Sequence, residues 1–141
     1  LNCNFEGIHA SNIQFVECEF IDCNFSNTIV TNTAFKDVSF VNCKMIGVKF
    51  NECDSFLLQF SFKDCQLNFS SFYQLKIPNT KFINSNSDLH NTIFENTVLE
   101  KVDFRSAKNF TFSLEQNKVK GAKFSKENLV GLLSKYKIVI D

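Results

Sequence analysis

The sequence is poor in several residue types that build common folds and sites. It has no Trp, one Pro, one Met, four Gly and a single Arg, Arg105. The glycines are not clustered, so no known glycine-rich phosphate loop can be built. No run approaches 18 apolar residues and no basic-then-apolar leader is visible. We therefore expect no membrane association and a cytoplasmic location.

Net charge is also absent, because 15 Lys+Arg balance 15 Asp+Glu. This balance argues against binding nucleic acid or membranes by charge alone. The charges are unevenly spread: residues 1–60 hold seven acids and three bases, whereas residues 61–141 hold eight acids and twelve bases. Glu17, Glu19 and Asp22 form the clearest acidic cluster and are our candidate partner-binding patch, although an ordinary solvated surface explains them equally well.

No catalytic constellation is present, and we expect neither an enzyme nor a cofactor. No Ser-His pairing can be proposed from spacing, and His9 and His90 do not stand at zinc-finger distance from a cysteine pair. Six cysteines leave a disulfide framework or a metal site open. Their positions in the repeat described next favour reduced, buried thiols that serve as packing residues, with no metal site.

What the sequence has in excess is Phe, with 18 residues among 141, spaced in fives. Every fifth position from residue 5 to residue 60 gives twelve positions, of which eleven are apolar and eight are Phe. We call these positions centres. They are Phe5, Ala10, Phe15, Phe20, Phe25, Val30, Phe35, Phe40, Met45, Phe50, Ser55 and Phe60. Two residues before each centre lies a residue that is small, β-branched or otherwise apolar; we call this position the small slot, and all six cysteines occupy small slots. Turn-forming residues such as Asn12 and Asp22 follow two residues after most centres.

A period of five fits neither a helix nor a long strand. Each unit predicts a short extended segment followed by a turn, which we call a corner. A chain that turns the same way at every corner coils on itself, and successive coils stack about 4.8 Å apart. The register shifts by two residues before Phe62 and again around residues 84–88. After the first shift the centres are Phe62, Leu67, Phe72, Ile77 and Phe82, and after the second they are Leu89, Phe94, Leu99, Phe104, Asn109, Leu114, Val119, Phe124 and Leu129. The stretch from Asn109 to Asn117 has the weakest pattern and reads as a loop or a distorted coil.

The units Cys23-Asn24-Phe25-Ser26-Asn27, Thr97-Val98-Leu99-Glu100-Lys101 and Ala122-Lys123-Phe124-Ser125-Lys126 resemble the pentapeptide-repeat family. The resemblance extends over about 125 of 141 residues. It implies an all-β fold, a right-handed quadrilateral parallel β-helix with four units per coil. Together with the change of pattern at Ser125, it predicts a β-helix over residues 1–124 and a capping or dimerisation segment over residues 125–141.

The C-terminal segment predicts a short helix of about ten residues with Ser125 as its N-cap. Leu129, Leu132, Leu133 and Tyr136 recur at helical spacing, and Ile138 and Ile140 lie in the β-type run that follows. This apolar stripe must pack on the last coil, on a second subunit or on both. The segment resembles the C-terminus of the Qnr-type quinolone-resistance branch, which implies a homodimer; a monomeric cap is the alternative.

The same resemblance implies a function. Qnr-type proteins mimic DNA, bind DNA gyrase or topoisomerase IV and relieve quinolone inhibition, so a type II topoisomerase is one candidate partner. A neutral chain is a poor match to strongly acidic DNA. The alternative is a structural or interaction scaffold with an unrelated protein partner.

Overall fold

The computed structural model describes residues 1–83 and 87–141 and is a parallel β-solenoid. Its strands are three or four residues long: β1 (Gln14–Val16), β2 (Glu19–Ile21), β3 (Ala34–Lys36), β4 (Val38–Val41), β5 (Phe60–Lys63) and β6 (Lys81–Ile83). Strand β1 pairs with β3, and the other four form one sheet in the order β2-β4-β5-β6, with every pair parallel. Isolated parallel bridges connect the coils elsewhere. The predicted coiling is confirmed.

The length of each coil follows from which residues pair. Asn24 lies 20 residues after its partner Asn4, whereas Gln66 lies 22 residues after Lys44. The first two-residue shift is thus confirmed, and it lies between Asp54 and Phe60. The second shift falls on residues 84–88, of which 84–86 lie outside the described residues; the pairing offset rises from 20 before it (Ser61 with Lys81) to 22 after it (Gln66 with Asp88).

The core is built from the centres of successive coils. Six of them stack ring on ring directly behind the four-stranded sheet, with centroids 5.2–5.5 Å apart and planes within 14° of parallel: Phe20, Phe40, Phe62, Phe82, Phe104 and Phe124. Rings of neighbouring sides meet this stack edge to face, as Phe50 does with Phe62. Both geometries are favourable for aromatic pairs. The excess of Phe is therefore a packing requirement of the repeat.

The small slots hold hydroxyls and thiols that must find partners when buried. Thr33, Ser70 and Thr97 donate to the carbonyls of Ala10, Met45 and Phe72, which are centres of the preceding coil, at 2.6–2.9 Å. The Cys65 thiol makes the same bond to the Phe40 carbonyl. Polar small residues are thus compatible with a dry interior because each donates along the stack.

The corners use the left-handed backbone region that the turn-forming residues predict. Asn12, Asp22 and Gly47 have φ values of 61°, 57° and 71°. Asn, Asp and Gly enter this region at low cost, whereas other residues are strained there. Glu52 is an exception, because residues Phe50–Glu52 form a 3₁₀ turn instead.

Four predicted centres are exposed: Ser55, Asn109, Leu114 and Leu129. Phe60 pairs with Val38, so it occupies a small slot, and its ring contacts Phe35 and Phe50 in the space that Ser55 leaves. Similarly, Phe110 and Phe112 are buried where Asn109 and Leu114 are not. At these places the core is filled by nearby aromatic residues that do not follow the five-residue spacing.

The C-terminal helix is shorter than predicted. The helix α1 covers Val130–Leu133 and continues as a 3₁₀ turn, Ser134–Tyr136. Ser125 caps an irregular turn before it, because its Oγ accepts from the Asn128 amide at 3.2 Å. The Asn128 side chain in turn donates to the carbonyls of Phe104 and Ala107. These bonds hold residues 126–129 to the solenoid and delay the helix. No helix among the described residues is long and apolar enough to cross a membrane.

Candidate protein-binding face

One side of the solenoid carries acidic residues at one end and basic residues at the other. It contains the strands β2, β4, β5 and β6 and the bridges at Asp103 and Lys123 beyond them. We call it the charged face and define it as residues 17–22, 37–42, 59–64, 79–83, 101–106 and 121–126. The Phe stack lies directly behind it, so its outward side chains stand on the most regular part of the fold.

The acidic residues of the charged face lie at its N-terminal end. Glu17 is at the corner before β2, Glu19 begins β2, and Asp22 is at the corner after it; all three are exposed. The structure therefore brings together the three residues predicted from the sequence. Asp22 Oδ1 accepts from Asn42 Nδ2 at 2.6 Å, which orients this carboxylate.

A fourth carboxylate, Asp37, was missed by sequence reasoning. The pairing of Val16 with Lys36 puts Asp37 directly above Glu17 at the same corner, and it is exposed. Adding 20 to each acidic position would have found it, since 20 residues make one coil here. The acidic cluster thus has four carboxylates within two coils.

The other end of the same face is basic, and sequence reasoning missed this cluster as well. Five exposed cations lie on its last three coils: Lys81, Lys101, Arg105, Lys123 and Lys126. Arg105 pairs with Asp103 at 2.7 Å, one of three ion pairs among the described residues and the one on this face. The hydrogen bond from Arg105 holds the pKa of Asp103 below its usual range. The two ends of the charged face therefore carry opposite charge.

A groove of about 530 Å³ lies at the edge of this face, between the acidic and basic ends. Its lining includes Asp37, Leu58, Gln59, Pro78 and Lys81. It lies beside the corner that holds the first extra pair of residues, so the longer coil produces it. Phe56 and Leu57 at this corner are 67% and 66% exposed.

The predicted dimer residues are placed unequally. Leu132 is buried, whereas Leu129, Tyr136, Ile138 and Ile140 are 41–56% exposed and Leu133 is half-buried. The Tyr136 hydroxyl donates to Glu115 at 3.0 Å, and Lys135 pairs with the same carboxylate. One leucine thus anchors this segment to the coils, and an apolar surface remains uncovered.

The cysteines are free and line the interior as predicted, except that Cys3 is exposed and Cys18 half-buried. Burial raises the pKa of Cys53 to about 12. A hydrogen bond with Cys43, together with burial, raises the pKa of Cys65. Because the thiolate is the reactive form, these two thiols are packing groups at neutral pH. No cluster of three or more possible metal ligands occurs in residues 1–83 and 87–141.

Comparison with known proteins agrees with the coiled geometry. The family model for pentapeptide repeats matches in eight copies, at residues 2–37 and 18–54. Residues 2–54 therefore consist of pentapeptide repeats, as the sequence predicts. No curated protein matches the chain.

Several solved structures of pentapeptide-repeat proteins are similar. One is trypsin-treated QnrB1, a plasmid-mediated fluoroquinolone resistance protein, which is 15% identical, with 99% of this chain and 86% of that chain covered and a TM-score of 0.47. Another is Rfr23 from the cyanobacterium Cyanothece 51142, which is 14% identical, with 89% and 86% covered and a TM-score of 0.36.

Proposed function

We propose that this pentapeptide-repeat chain is a non-enzymatic protein-binding rod that recognises its partner through the charged face. The observation that carries the proposal is the concentration of four carboxylates, Glu17, Glu19, Asp22 and Asp37, at one end of a flat sheet. A parallel ladder fixes such side chains at regular intervals of about 4.8 Å. Preorganised charge of this kind favours recognition of a basic protein surface over catalysis.

A type II topoisomerase is the partner that we propose to test first. Its DNA-binding groove must be basic, because it accepts a duplex with one phosphate per about 3.4 Å of each strand. Glu17 and Asp37 at one corner, about 4.8 Å apart, approach that spacing over two coils. DNA gyrase and topoisomerase IV are thus the candidates, with relief of quinolone inhibition as the outcome.

The experiment is a gyrase supercoiling assay with and without a quinolone, in which the purified protein is titrated. We expect supercoiling to be restored by the native chain and at least tenfold more protein to be needed for Glu17→Lys/Glu19→Lys. The matched control is Glu95→Lys/Glu100→Lys, which makes the same charge change on other sides of the solenoid and should behave as the native chain does. If the native chain leaves drug-poisoned gyrase inhibited, the topoisomerase proposal is wrong.

A second candidate is a scaffold for an unrelated protein, and the basic end of the charged face favours it. Lys81, Lys101 and Lys123 would be repelled by a groove that attracts the acidic end. A photo-crosslinking residue at Ser61, between the two ends, would identify such a partner. Crosslinks that disappear in Glu17→Lys/Glu19→Lys and persist in the control would assign binding to this face.

We also propose that the exposed stripe of Leu129, Tyr136, Ile138 and Ile140 joins two copies end to end. Its exposed apolar surface supports this proposal, since such surface is unusual on a monomer when it is contiguous. Ile138→Lys/Ile140→Lys should leave folding unchanged and reduce the mass measured by light scattering to that of a monomer. A native chain that is already monomeric would favour the cap.

A further inference from the structure

We propose that the charged face also binds the charged face of a second copy, with the two rods side by side and antiparallel. The inference rests on the register of the ladder and does not depend on the proposed partner. Each coil contributes one row of residues to this face, which we call a rung, and residues that pair from one rung to the next form a column. Rungs 1 to 6 are identified by the column Glu19, Ser39, Ser61, Lys81, Asp103 and Lys123. Rungs 1 and 2 carry the four carboxylates, and rungs 4 to 6 carry the five cations and Asp103.

The two copies are related by a two-fold axis that lies between the two faces and runs perpendicular to the rods, at a height between rungs 3 and 4. This axis brings rung 1 opposite rung 6 and rung 2 opposite rung 5. Each column then meets itself in reverse. Glu19 lies opposite Lys123 of the second copy, Asp37 opposite Lys101, and Asp22 opposite Lys126. By symmetry each of these pairs occurs twice.

No two like charges of the described residues meet in this arrangement. Asp103 lies opposite Ser39, and Arg105 lies opposite Val41. Lys63 lies opposite the half-exposed Ile83. In the parallel arrangement each rung would instead meet the same rung of the second copy, which puts the carboxylates of rung 1 against carboxylates and the cations of rung 6 against cations. The charge pattern therefore selects the antiparallel pairing, as like charges do against wrong partners.

The middle of the face supplies an apolar contact. The groove extends from Asp37 on rung 2 to Pro78 and Lys81 on rung 4, and the exposed Leu57 lies at the corner just before rung 3. The two-fold axis places rung 3 of one copy against rung 4 of the other. Leu57 of the second copy thus comes to the groove of the first.

The size of the face sets the strength of the contact. A side of five residues is at most about 16 Å wide, and six rungs span about 24 Å. This gives roughly 400 Å² per copy, about half of what a standard stable interface buries on each partner. We expect a dissociation constant of about 100 μM at 50 mM salt, weakened at least tenfold at 500 mM salt because the charges are screened.

Sedimentation equilibrium up to 1 mM protein, with two charge-reversal variants, tests the proposal. Glu19→Lys/Asp37→Lys puts a cation opposite Lys123 and Lys101, and Lys101→Glu/Lys123→Glu puts a carboxylate opposite Asp37 and Glu19. Each variant alone should be at least tenfold weaker in self-association than the native chain. An equimolar mixture of the two should associate again, because each substituted residue then lies opposite a charge of the other sign. Circular dichroism and thermal unfolding show whether each variant is folded.

Two controls separate this interface from others. Glu95→Lys/Glu100→Lys should leave self-association unchanged, and Ile138→Lys/Ile140→Lys should leave the salt-sensitive association in place. The proposal is overturned by a native chain that stays monomeric at 1 mM and low salt, by association lost in Ile138→Lys/Ile140→Lys, or by a mixture of the charge variants that does not associate.

Leu57→Asn tests the apolar contact without disturbing the fold. Leu57 has φ 54°, a conformation in which Asn is more stable than Leu. We expect this variant to be at least as stable as the native chain and to self-associate about threefold less. Equal self-association would exclude the contact with the groove. The antiparallel pair covers Glu19 and Asp37, so a partner that binds these residues competes with self-association. The sedimentation experiment contains no gyrase, so its result is independent of whether gyrase binds.

Discussion

The coils from Phe20 to Leu99 and the stretch from Asn109 to Asn117 fill the same core by different means. In the former, nearly every buried large residue lies at a centre, and its ring stacks on the centre of the next coil. In the latter, Asn109 and Leu114 are exposed, and Phe110 and Phe112 enter the core with tilted rings. The comparison shows that the solenoid requires filled volume on each coil, and the period of five is the usual way to supply it.

The largest effect should come from truncating a ring of the stack. Phe62 is fully buried between Phe40 and Phe82, so Phe62→Ala leaves a cavity that its stacked neighbours cannot close. We expect a loss of about 3–5 kcal/mol in the free energy of unfolding, measured with urea. Phe112→Ala, at a 9% exposed position among tilted rings, should cost about 2–3 kcal/mol because this looser site can relax. Equal losses would mean that the irregular stretch is packed as rigidly as the regular coils.

A smaller effect should follow from removing the polar residue that holds the irregular stretch in place. Asn117 occupies a small slot, where its Oδ1 accepts from the Thr97 amide and its Nδ2 donates to the carbonyls of Phe94 and Ser113, all at 2.8–2.9 Å. Asn117→Ala leaves these buried groups unpaired and should cost about 1–3 kcal/mol in urea unfolding. Gln66→Ala, at an exposed position without a positive φ, is the control for loss of an amide. A loss below 0.5 kcal/mol beyond that control would show that water replaces the missing bonds.

Much of this architecture is readable from the sequence because inward and outward positions repeat. Phe40, Cys65 and Asp22 could be placed from the spacing alone, and so could the acidic cluster. The filling of the Ser55 position by Phe60 could not, because it depends on how rings pack around a corner two residues longer. The helix was overestimated because the bonds from Asn128 to Phe104 and Ala107 connect residues 21–24 apart and leave no local pattern. Predicting Asp37 and the basic cluster requires the coil length to be applied to the charged residues as well as to the core residues.

The smallest effect concerns the bond between the two regions. Asp88, in a regular coil, accepts from Asn68 of the coil before and from Asn109 of the irregular stretch, at 2.8 and 2.9 Å. Burial alone would raise the pKa of Asp88, but the hydrogen bonds from Asn68 and Asn109 outweigh it and hold the pKa below its usual range. A carboxylate with a lowered pKa stabilises the fold above its unfolded-state value of about 3.9 and loses that contribution as the pH falls through the folded-state value.

Asp88→Asn should therefore destabilise the chain by about 1 kcal/mol at pH 7. The difference from the native chain should shrink as the pH falls below about 4, because the carboxylate is protonated first in the unfolded chain and only at lower pH in the folded one. Thermal unfolding of both chains at pH 7, 5 and 3 measures this difference in stability. Glu95→Gln is the control, because it makes the same change at an exposed carboxylate. A difference that stays constant with pH would mean that the shape of the Asp88 side chain, and not its charge, joins Asn109 to the regular coils.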